Sequence, residues 1–319
     1  MAFRVQNITD ADFSAIELSD DITGSRAVIL PQQGGILHRF ERKIGGVMRN
    51  VIESYANQAD WNENLTNKGF RSCKLAPFAC RIADARYRFD DHEYQVQKFI
   101  LHGSALHGLI YDLPFEVAYQ YADAHHAGVV LQGSYLGTDP GYPFAFDCQV
   151  AYQLKANAAL TITTTLTNRD EGLIPVQDGW HPYFTLGVPV DDCLLSFQAM
   201  DQWVFNAAMI PTGERKSFDE FIREKKLGNR KFDDCFTLDF SACQPLVTLR
   251  HPNEPWQVEI HPDKSYPYLQ LYTPDHRQSI AIENLSAPPD VFNHGAGLII
   301  LPPGGNRNFV TTYRISSFE

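Results

Sequence analysis

Several features that assign proteins to common classes are missing from this chain of 319 residues. No apolar run approaches the roughly 20 residues needed to cross a bilayer, so no membrane partner is expected. No lysine- or arginine-rich cluster relieves a formal net charge of -11, which argues against nucleic acid or an anionic membrane surface as a partner. Neither standard glycine-rich phosphate loop occurs, so a nucleotide cofactor is not expected.

The cysteines offer no metal or disulfide pattern. Six are present, without a C-x-x-C pair and without zinc-type spacing to histidine, and they are interpreted as buried or partly buried free thiols. No metal and no other cofactor is therefore predicted. Residues 1–18 lack the basic start and long apolar run of a secretory signal, so a cytoplasmic location is expected.

Short strand-like runs are what the chain has in abundance. Residues 159–168 (ALTITTTLTN) alternate aliphatic side chains with threonine, a pattern typical of a half-buried strand. Similar runs, separated by segments rich in Gly, Pro, Asn and Asp, cover residues 148–154, 245–251, 268–273, 279–283 and 309–315. Many short strands with few helices predict an all-β sandwich or barrel.

One segment predicts a helix clearly. Residues 217–228 (SFDEFIREKKLG) begin with a capping-box pair, Ser217 and Glu220, and carry apolar side chains on one helical face before a terminal glycine. Residues 53–65 could hold another helical turn or two. The helices are therefore expected to be few and short.

His181 is the first candidate for chemistry. It lies in the segment DGWHPYFTLG (178–187), between a tryptophan and an aromatic pair. The proline that follows it biases its backbone toward extended conformations, which predicts a place at a strand end. A core histidine bonded to a carbonyl is the alternative interpretation, and this segment alone does not separate the two.

Glu283 is the second candidate. In the strand predicted over residues 279–283, Ile280 and Ile282 face one way, whereas Ala281 and Glu283 face the other. Because the side chain of Ala281 is small, the side chain of Glu283 is expected to face an open space instead of a filled core. An exposed strand carboxylate is the ordinary alternative.

Two further segments place polar groups among aromatic and apolar residues. In KLAPFACRIADARYRF (74–89), Arg81 comes soon after a Pro-Phe turn, where its guanidinium could bind hydroxyls or a carboxylate. In LHGSALHGLIYDLPFEV (101–117), His102 and His107 each precede a glycine, which lets a ligand approach closely.

Together the four segments supply a carboxylate, histidines, an arginine and many aromatic rings, without a signature for a nucleophilic serine or cysteine. Histidine and glutamate are natural proton donors and acceptors near neutral pH. Aromatic rings suit the C–H faces of a sugar, and its hydroxyls suit carboxylates and arginine. The residues therefore favour acid–base chemistry on a polar small molecule, with a sugar as the best match.

The four segments, in this order, resemble the aldose 1-epimerase (galactose mutarotase-like) family. LAPFACRI resembles the family's L-x-P-x-x-N-R-I segment, LHGLIYDLPFEV its H-G-x-x-x-D-x-P-F/W-x-V segment, and GWHPYFTLG its G-x-H-P-Y-F-x-L segment. IAIENLSAPPDVFNHGAGLIILPPGG is similar to its closing I-E-P … L-x-P-G-G/E segment. The resemblance extends from about residue 74 to 305 and so covers most of the chain.

The resemblance implies a fold and a reaction. The fold is a large antiparallel β super-sandwich in one domain, here residues 1–319, with a hexose bound on a concave sheet face. The reaction is interconversion of the α and β anomers by ring opening and closure. Glu283 would be the general base on the anomeric hydroxyl, and His181 the general acid on the ring oxygen.

The same resemblance implies three sugar ligands. His107 would help to hold the anomeric region, and Arg81 would contact hydroxyls. FDDCF (232–236) resembles the family's F-D-H-C-F segment, which makes Asp233 a ligand of a sugar hydroxyl and leaves Asp234 on the histidine position.

Three departures from the family pattern concern the preferred sugar. Cys80 lies where the family usually has asparagine, Asn284 replaces a proline, and Asp234 replaces a histidine. None of them removes the implied acid or base.

Two other functions stay open at this point. A hexose-6-phosphate 1-epimerase needs basic residues near the far end of the sugar, for which Arg71, Lys74 and Arg81 are the candidates. A non-catalytic sugar-binding protein on the same fold has no need for both Glu283 and His181. The acidic net charge favours a neutral aldose.

Overall fold

The alternating sequence pattern gives a structure built largely of strands. The computed structural model describes residues 2–318, and strands account for 52% of the structure against 5% for helices. The predicted all-β class with few, short helices is therefore confirmed.

Within residues 2–318 there are thirty strands. They are β1 (Phe3–Asp10), β2 (Phe13–Asp20), β3 (Ser25–Leu30), β4 (Ile36–Ile44), β5 (Val47–Asn50), β6 (Ile52–Glu53), β7 (Lys74–Leu75), β8 (Arg81–Ile82), β9 (Arg86–Phe89), β10 (His92–Gln95), β11 (Ile100–Leu101), β12 (Ser104–Leu106), β13 (Glu116–Ala122), β14 (His126–Leu136), β15 (Ala145–Lys155), β16 (Ala159–Asn168), β17 (Ile174–Val176), β18 (Gly179–Trp180), β19 (Tyr183–Phe184), β20 (Leu194–Phe197), β21 (Ala199–Phe205), β22 (Pro211–Ser217), β23 (Lys225–Lys226), β24 (Asp233–Leu238), β25 (Val247–Arg250), β26 (Trp256–Pro262), β27 (Tyr268–Tyr272), β28 (Ile280–Leu285), β29 (Ile299–Leu301) and β30 (Asn306–Ser317). Each run predicted as a strand contains or overlaps one of them.

The helices are short. The α-helices of the described chain are α1 (Gln58–Asn64) and α2 (Val291–His294), and two 3₁₀ turns cover Ala83–Ala85 and Val190–Asp192. Helix α1 falls inside the stretch 53–65, where the side chain of Asn57 accepts a hydrogen bond from the backbone N–H of Asp60 and caps the first turn. Neither α-helix of residues 2–318 is long and apolar enough to cross a membrane.

The helix predicted over residues 217–228 is wrong. This stretch contains the end of β22, a turn and the two-residue strand β23. Phe218 and Phe221 stack on Phe197 with ring centroids 5.4 and 5.8 Å apart, and Phe221 is fully buried. Burial of two aromatic rings in one cluster outweighs the modest local preference of the capping-box pattern.

Three sheets make up most of the fold. The first has nine strands in the order β13–β14–β15–β16–β30–β26–β25–β20–β23. The second runs β22–β21–β24–β27–β28–β18–β7, with β19 and β6 attached beside β28. The third is the five-stranded meander from β1 to β5. Neighbouring strands within these sheets pair antiparallel.

The two large sheets pack face to face around the main core. The indole N–H of Trp180 on β18 donates to the hydroxyl of Thr164 on β16 over 3.2 Å, and the Phe184 and Tyr313 rings lie 5.3 Å apart. Ile280 and Ile282 of β28 belong to this core. Because side chains alternate along a strand, the odd-numbered positions of β28 face away from the first sheet. That outer face carries the site.

The cysteines are all free, and five of the six are buried. Cys243 is exposed, so the expectation of burial is wrong for this residue. It lies in the connection between β24 and β25.

Candidate active site

The register of three neighbouring strands aligns polar side chains on one sheet face. Cys235 of β24 pairs with Gln270 of β27, and Gln270 pairs with Glu283 of β28. Two residues before Cys235 on β24, Asp233 pairs with Tyr272 of β27 and forms a second row beside the first. Residues two apart on a strand share a face, so the acidic, amide and phenol groups of both rows face the same space.

These rows form the floor of a cavity of about 470 Å³. Ligand pockets for small molecules typically measure about 300–1,000 Å³. The structure brings all five residues named from the sequence to this cavity: His181, Glu283, His107, Arg81 and Asp233.

His181 occupies the break between β18 and β19. Its backbone N–H donates to the carbonyl of Cys73 over 3.1 Å, and its own carbonyl accepts from the N–H of Ser72 over 2.9 Å. Both backbone groups of His181 are thus bonded to one adjacent segment, at Ser72 and Cys73. The side chain is buried, and its Nε2 lies 3.4 Å from Oε1 of Glu283.

Burial controls the protonation of this pair. It lowers the pKa of His181 to about 4, and it raises the pKa of Glu283 well above its ordinary value, with Asp233 adding to the rise. Both shifts favour the uncharged forms, so a single proton held by the pair is favoured on the Glu283 carboxyl over the His181 imidazole. Oε2 of Glu283 and Nδ1 of His181 are buried without a hydrogen-bond partner among residues 2–318.

His107 lies beside His181 on a strained turn. Its φ is 60°, a left-handed conformation that is uncommon for residues other than glycine, and its N–H donates to the Cys80 carbonyl over 2.9 Å. The two imidazole rings meet edge to face with centroids 5.0 Å apart. Burial, then His181 and Arg81, hold the pKa of His107 well below its ordinary value. His102 is exposed at the cavity edge.

Arg81 reaches the site because β8 pairs with β12, so that Arg81 stands opposite Leu106, next to His107. Asp233 also lines the cavity, and its Oδ1 accepts a hydrogen bond of 2.9 Å from the Gln270 amide. Burial raises the pKa of Asp233, and Arg81 opposes this shift. Arg81 and Asp233 thus bring opposite charges to one polar wall.

Asp234 has a different position from Asp233. It accepts a 2.6 Å hydrogen bond from the Gln202 amide and lines an adjoining cavity of about 560 Å³, not the cavity that contains His181. Of the two aspartates, only Asp233 belongs to both cavities.

Sequence reasoning missed several residues of the cavity. Gln270 and Tyr272 lie on its floor, and Phe70 and Tyr183 on its wall. The alternation of Tyr, Gln and Tyr at positions 268, 270 and 272 was an available signal, since it predicts one polar and aromatic strand face. For Phe70 there was none, because its loop has no periodic pattern.

Comparison with known proteins identifies the family. The model of the family described as "Aldose 1-epimerase" matches residues 14–314. The chain is 30% identical over 239 residues to the uncharacterized protein YihR of Escherichia coli K12, covering 72% of this chain and 74% of that protein. It is 28% identical over 171 residues to the uncharacterized protein YphB of the same organism, covering 51% and 50%.

Solved structures share the fold at low sequence identity. A galactose mutarotase-like protein from Clostridium acetobutylicum superposes with a TM-score of 0.85 at 18% identity, covering 99% of this chain and 98% of that one. Galactose 1-epimerase from Lactobacillus acidophilus gives a TM-score of 0.83 at 17% identity, covering 99% and 100%. The fold is galactose mutarotase-like, and with its family model matched over residues 14–314 the chain belongs to the aldose 1-epimerase family.

Proposed function

We propose that this protein is an aldose 1-epimerase that interconverts the α and β anomers of a neutral hexose. The observation that carries the proposal is the 3.4 Å separation between His181 Nε2 and Glu283 Oε1 in a buried cavity. The anomeric hydroxyl oxygen and the ring oxygen of a sugar are bonded to the same carbon. An acid and a base that serve these two oxygens must therefore be close neighbours themselves.

The reaction needs only proton transfers. Glu283 accepts the proton of the C1 hydroxyl while His181 donates one to the ring oxygen, the bond between C1 and the ring oxygen breaks, and C1 becomes a carbonyl. Rotation about the C1–C2 bond presents the other face, and the same transfers in reverse close the ring. Hydroxyl groups that donate to Glu283 stabilise its ionised form, so sugar binding favours movement of the shared proton to His181.

The surrounding residues support positioning of the sugar. Asp233 and Arg81 bring a carboxyl and a guanidinium to the cavity, and both groups suit hydroxyl ligands. The rings of Tyr183, Phe70 and Tyr272 supply the apolar surface for sugar C–H groups and limit access of water. Exclusion of water strengthens the electrostatic stabilisation of charge that develops in the reaction.

Charge in the cavity favours a neutral sugar over a phosphosugar. Among the described residues that line the cavity, Arg81 is the one lysine or arginine, and the carboxyl group of Asp233 lines the same cavity. Lys74 is fully buried and paired with Asp178, so it does not reach the cavity.

The test is exchange between anomers, measured by saturation-transfer NMR against the spontaneous background. Positioned proton transfer contributes about 10²–10⁴-fold per group, so Glu283→Gln should lose about that factor in kcat with little change in sugar affinity. Glu116→Gln, on the exposed strand β13, is the matched control and should exchange at the normal rate.

Two results would contradict the proposal. Near-normal exchange in Glu283→Gln would exclude the acid–base role and favour a sugar-binding protein. A clearly higher kcat/KM for glucose 6-phosphate than for glucose or galactose would make the protein a phosphosugar epimerase.

A further inference from the structure

A closed circuit of contacts joins both histidines of the cavity to one wall. The wall segment, residues 66–70, follows helix α1 and lines the cavity with four of its five residues. At Gly69 its carbonyl accepts a 3.0 Å hydrogen bond from the Tyr183 hydroxyl. The next residue, Phe70, places its ring 4.7 Å from that of His107.

The histidines complete the circuit between these two contacts. The Tyr183 ring stacks on His181 with centroids 5.0 Å apart and planes 13° from parallel. The rings of His181 and His107 lie 5.0 Å apart, edge to face. The wall segment therefore contacts each imidazole through one aromatic ring, Phe70 for His107 and Tyr183 for His181.

The hydroxyl of Tyr183 is the polar link of the circuit. Tyr183 is 2% exposed, and burial raises the pKa of its phenol well above the ordinary value, so the group stays a donor at neutral pH. A Cβ at position 69 would lie 2.3 Å from the Tyr183 oxygen, and Gly69 has φ 77°. Glycine is therefore required here for both space and backbone conformation.

The other end of the circuit is strained. Phe70 has φ 55°, an uncommon conformation for a bulky residue, and it is held by edge-on contacts with Phe99 and Tyr111 at 5.2 and 5.0 Å. Strained residues persist where the surrounding contacts over-determine them, and they concentrate at functional sites. The strained backbone at Phe70 directs its ring toward His107. An unstrained loop would point this ring in another direction.

We propose that Tyr183 is a positioning residue for the proton transfer: by binding Gly69 and stacking on His181, it fixes His181 against Glu283 and couples that alignment to the wall segment. The proposal rests on the proposed function. It assigns alignment of the acid to the Tyr183 hydroxyl, which is bonded to Gly69, and leaves the sugar-facing surface to the Tyr183 ring, which phenylalanine keeps.

The experiment compares Tyr183→Phe with Tyr55→Phe. Tyr55 is a matched control, since its buried hydroxyl also donates to the backbone beside the wall segment, at Leu65 over 3.3 Å, while its ring packs on Trp61. Loss of one net hydrogen bond should lower kcat by about three- to tenfold in Tyr183→Phe. The KM should change by less than about twofold, and Tyr55→Phe should keep both constants.

Imidazole NMR provides a readout that does not depend on turnover. With signals assigned from the His181→Asn and His107→Asn variants, Tyr183→Phe should shift the resonances of both rings, and Tyr55→Phe neither. Gly69→Ala should shift them further. The proposal would be overturned if the imidazole resonances of Tyr183→Phe were unshifted, or if Tyr55→Phe lost as much kcat as Tyr183→Phe. Wild-type protein without anomer exchange, but with the ring shifts, would overturn the proposed function and leave the alignment role supported.

Discussion

Two buried ionisable pairs lie at opposite ends of the short strand β18, and they differ in what surrounds them. Asp178 precedes the strand and His181 follows it. The closed pair is Lys74–Asp178, with both side chains fully buried and Nζ 2.6 Å from Oδ1. The open pair is His181–Glu283, equally buried but facing the cavity.

The closed pair is bonded from several sides. Lys74 also donates to the Gly179 carbonyl over 2.7 Å and lies over the Trp180 ring at 4.5 Å. The Tyr266 hydroxyl donates to Asp178 over 2.5 Å. Burial lowers the pKa of Lys74 and raises that of Asp178, and each partner's charge opposes the shift. Lys74 Nζ and Asp178 Oδ1 are therefore both engaged, whereas Asp178 Oδ2 is buried without a hydrogen-bond partner in residues 2–318. Neither Lys74 nor Asp178 lines the cavity that contains His181.

The open pair differs in that it lines the cavity. Glu283 and His181 each keep a buried atom without a partner in residues 2–318, and burial pushes their pKa values in the directions that disfavour charge. Such groups cost stability and are tolerated where function requires them. What distinguishes the two pairs is the cavity: His181 and Glu283 line it and can meet a ligand there, whereas Lys74 and Asp178 do not line it and act as a structural support.

The largest expected effect distinguishes the pairs by stability. Lys74→Met leaves an unpaired charge at Asp178 and should lower the free energy of unfolding by about 3–5 kcal/mol in urea denaturation. Glu283→Gln removes a carboxyl whose ionisation the fold disfavours, so its unfolding free energy at pH 7 should be unchanged or higher. Equal losses of unfolding free energy in Lys74→Met and Glu283→Gln would show that the two pairs do not differ in their contribution to stability.

Acid should weaken the fold through His181 of the open pair, while the raised pKa of Glu283 acts in the opposite direction. The unfolded chain protonates His181 below about pH 6.5, whereas the folded protein does so only near 4. The unfolded state binds more protons in this interval, so stability falls as the pH falls. Between pH 7 and 4, His181→Asn should lose about 2–3 kcal/mol less unfolding free energy than the wild type. His125→Asn, at an exposed histidine, is the control and should follow the wild-type curve.

The activity of the open pair should persist over a wide pH range. In the form that reacts, with His181 protonated and Glu283 ionised, the pair holds one proton. The resting form, with the proton on Glu283, also holds one. The value of kcat/KM should therefore fall only when the pair binds a second proton or loses its last one. The acid limb is expected near pH 4, and the alkaline limb above the ordinary range of glutamate. Both limbs belong to the coupled pair. An acid limb near 6.5 would show that His181 titrates as an exposed histidine.

The smallest expected effect concerns thiols, which belong to neither pair. A thiol reagent should modify one cysteine rapidly in the native protein, Cys243, and six after unfolding without reductant. Rapid modification of the other five would mean that the cores around both pairs open readily. Modification of Cys243 should leave anomer exchange unchanged.

The sequence predicted much of this site, and the limits of that prediction are instructive. Strand periodicity placed Glu283 on the face opposite Ile282, and the His-Pro dipeptide placed His181 at a strand end. The resemblance supplied their implied roles. Nothing in the local pattern of residues 66–70 indicated a cavity wall, because that segment is shaped by contacts with Tyr183 and His107.

By itself the sequence determined the all-β class and the face on which each strand side chain lies, because alternation with period two is a local property. It failed at residues 217–228, where a local helix pattern lost to a distant aromatic cluster around Phe197. Only the tertiary structure decided which pair would be open and which closed. His181 meets Glu283, and Lys74 meets Asp178, across about a hundred residues of chain, and such meetings are fixed by strand register and core packing, not by any neighbour in sequence.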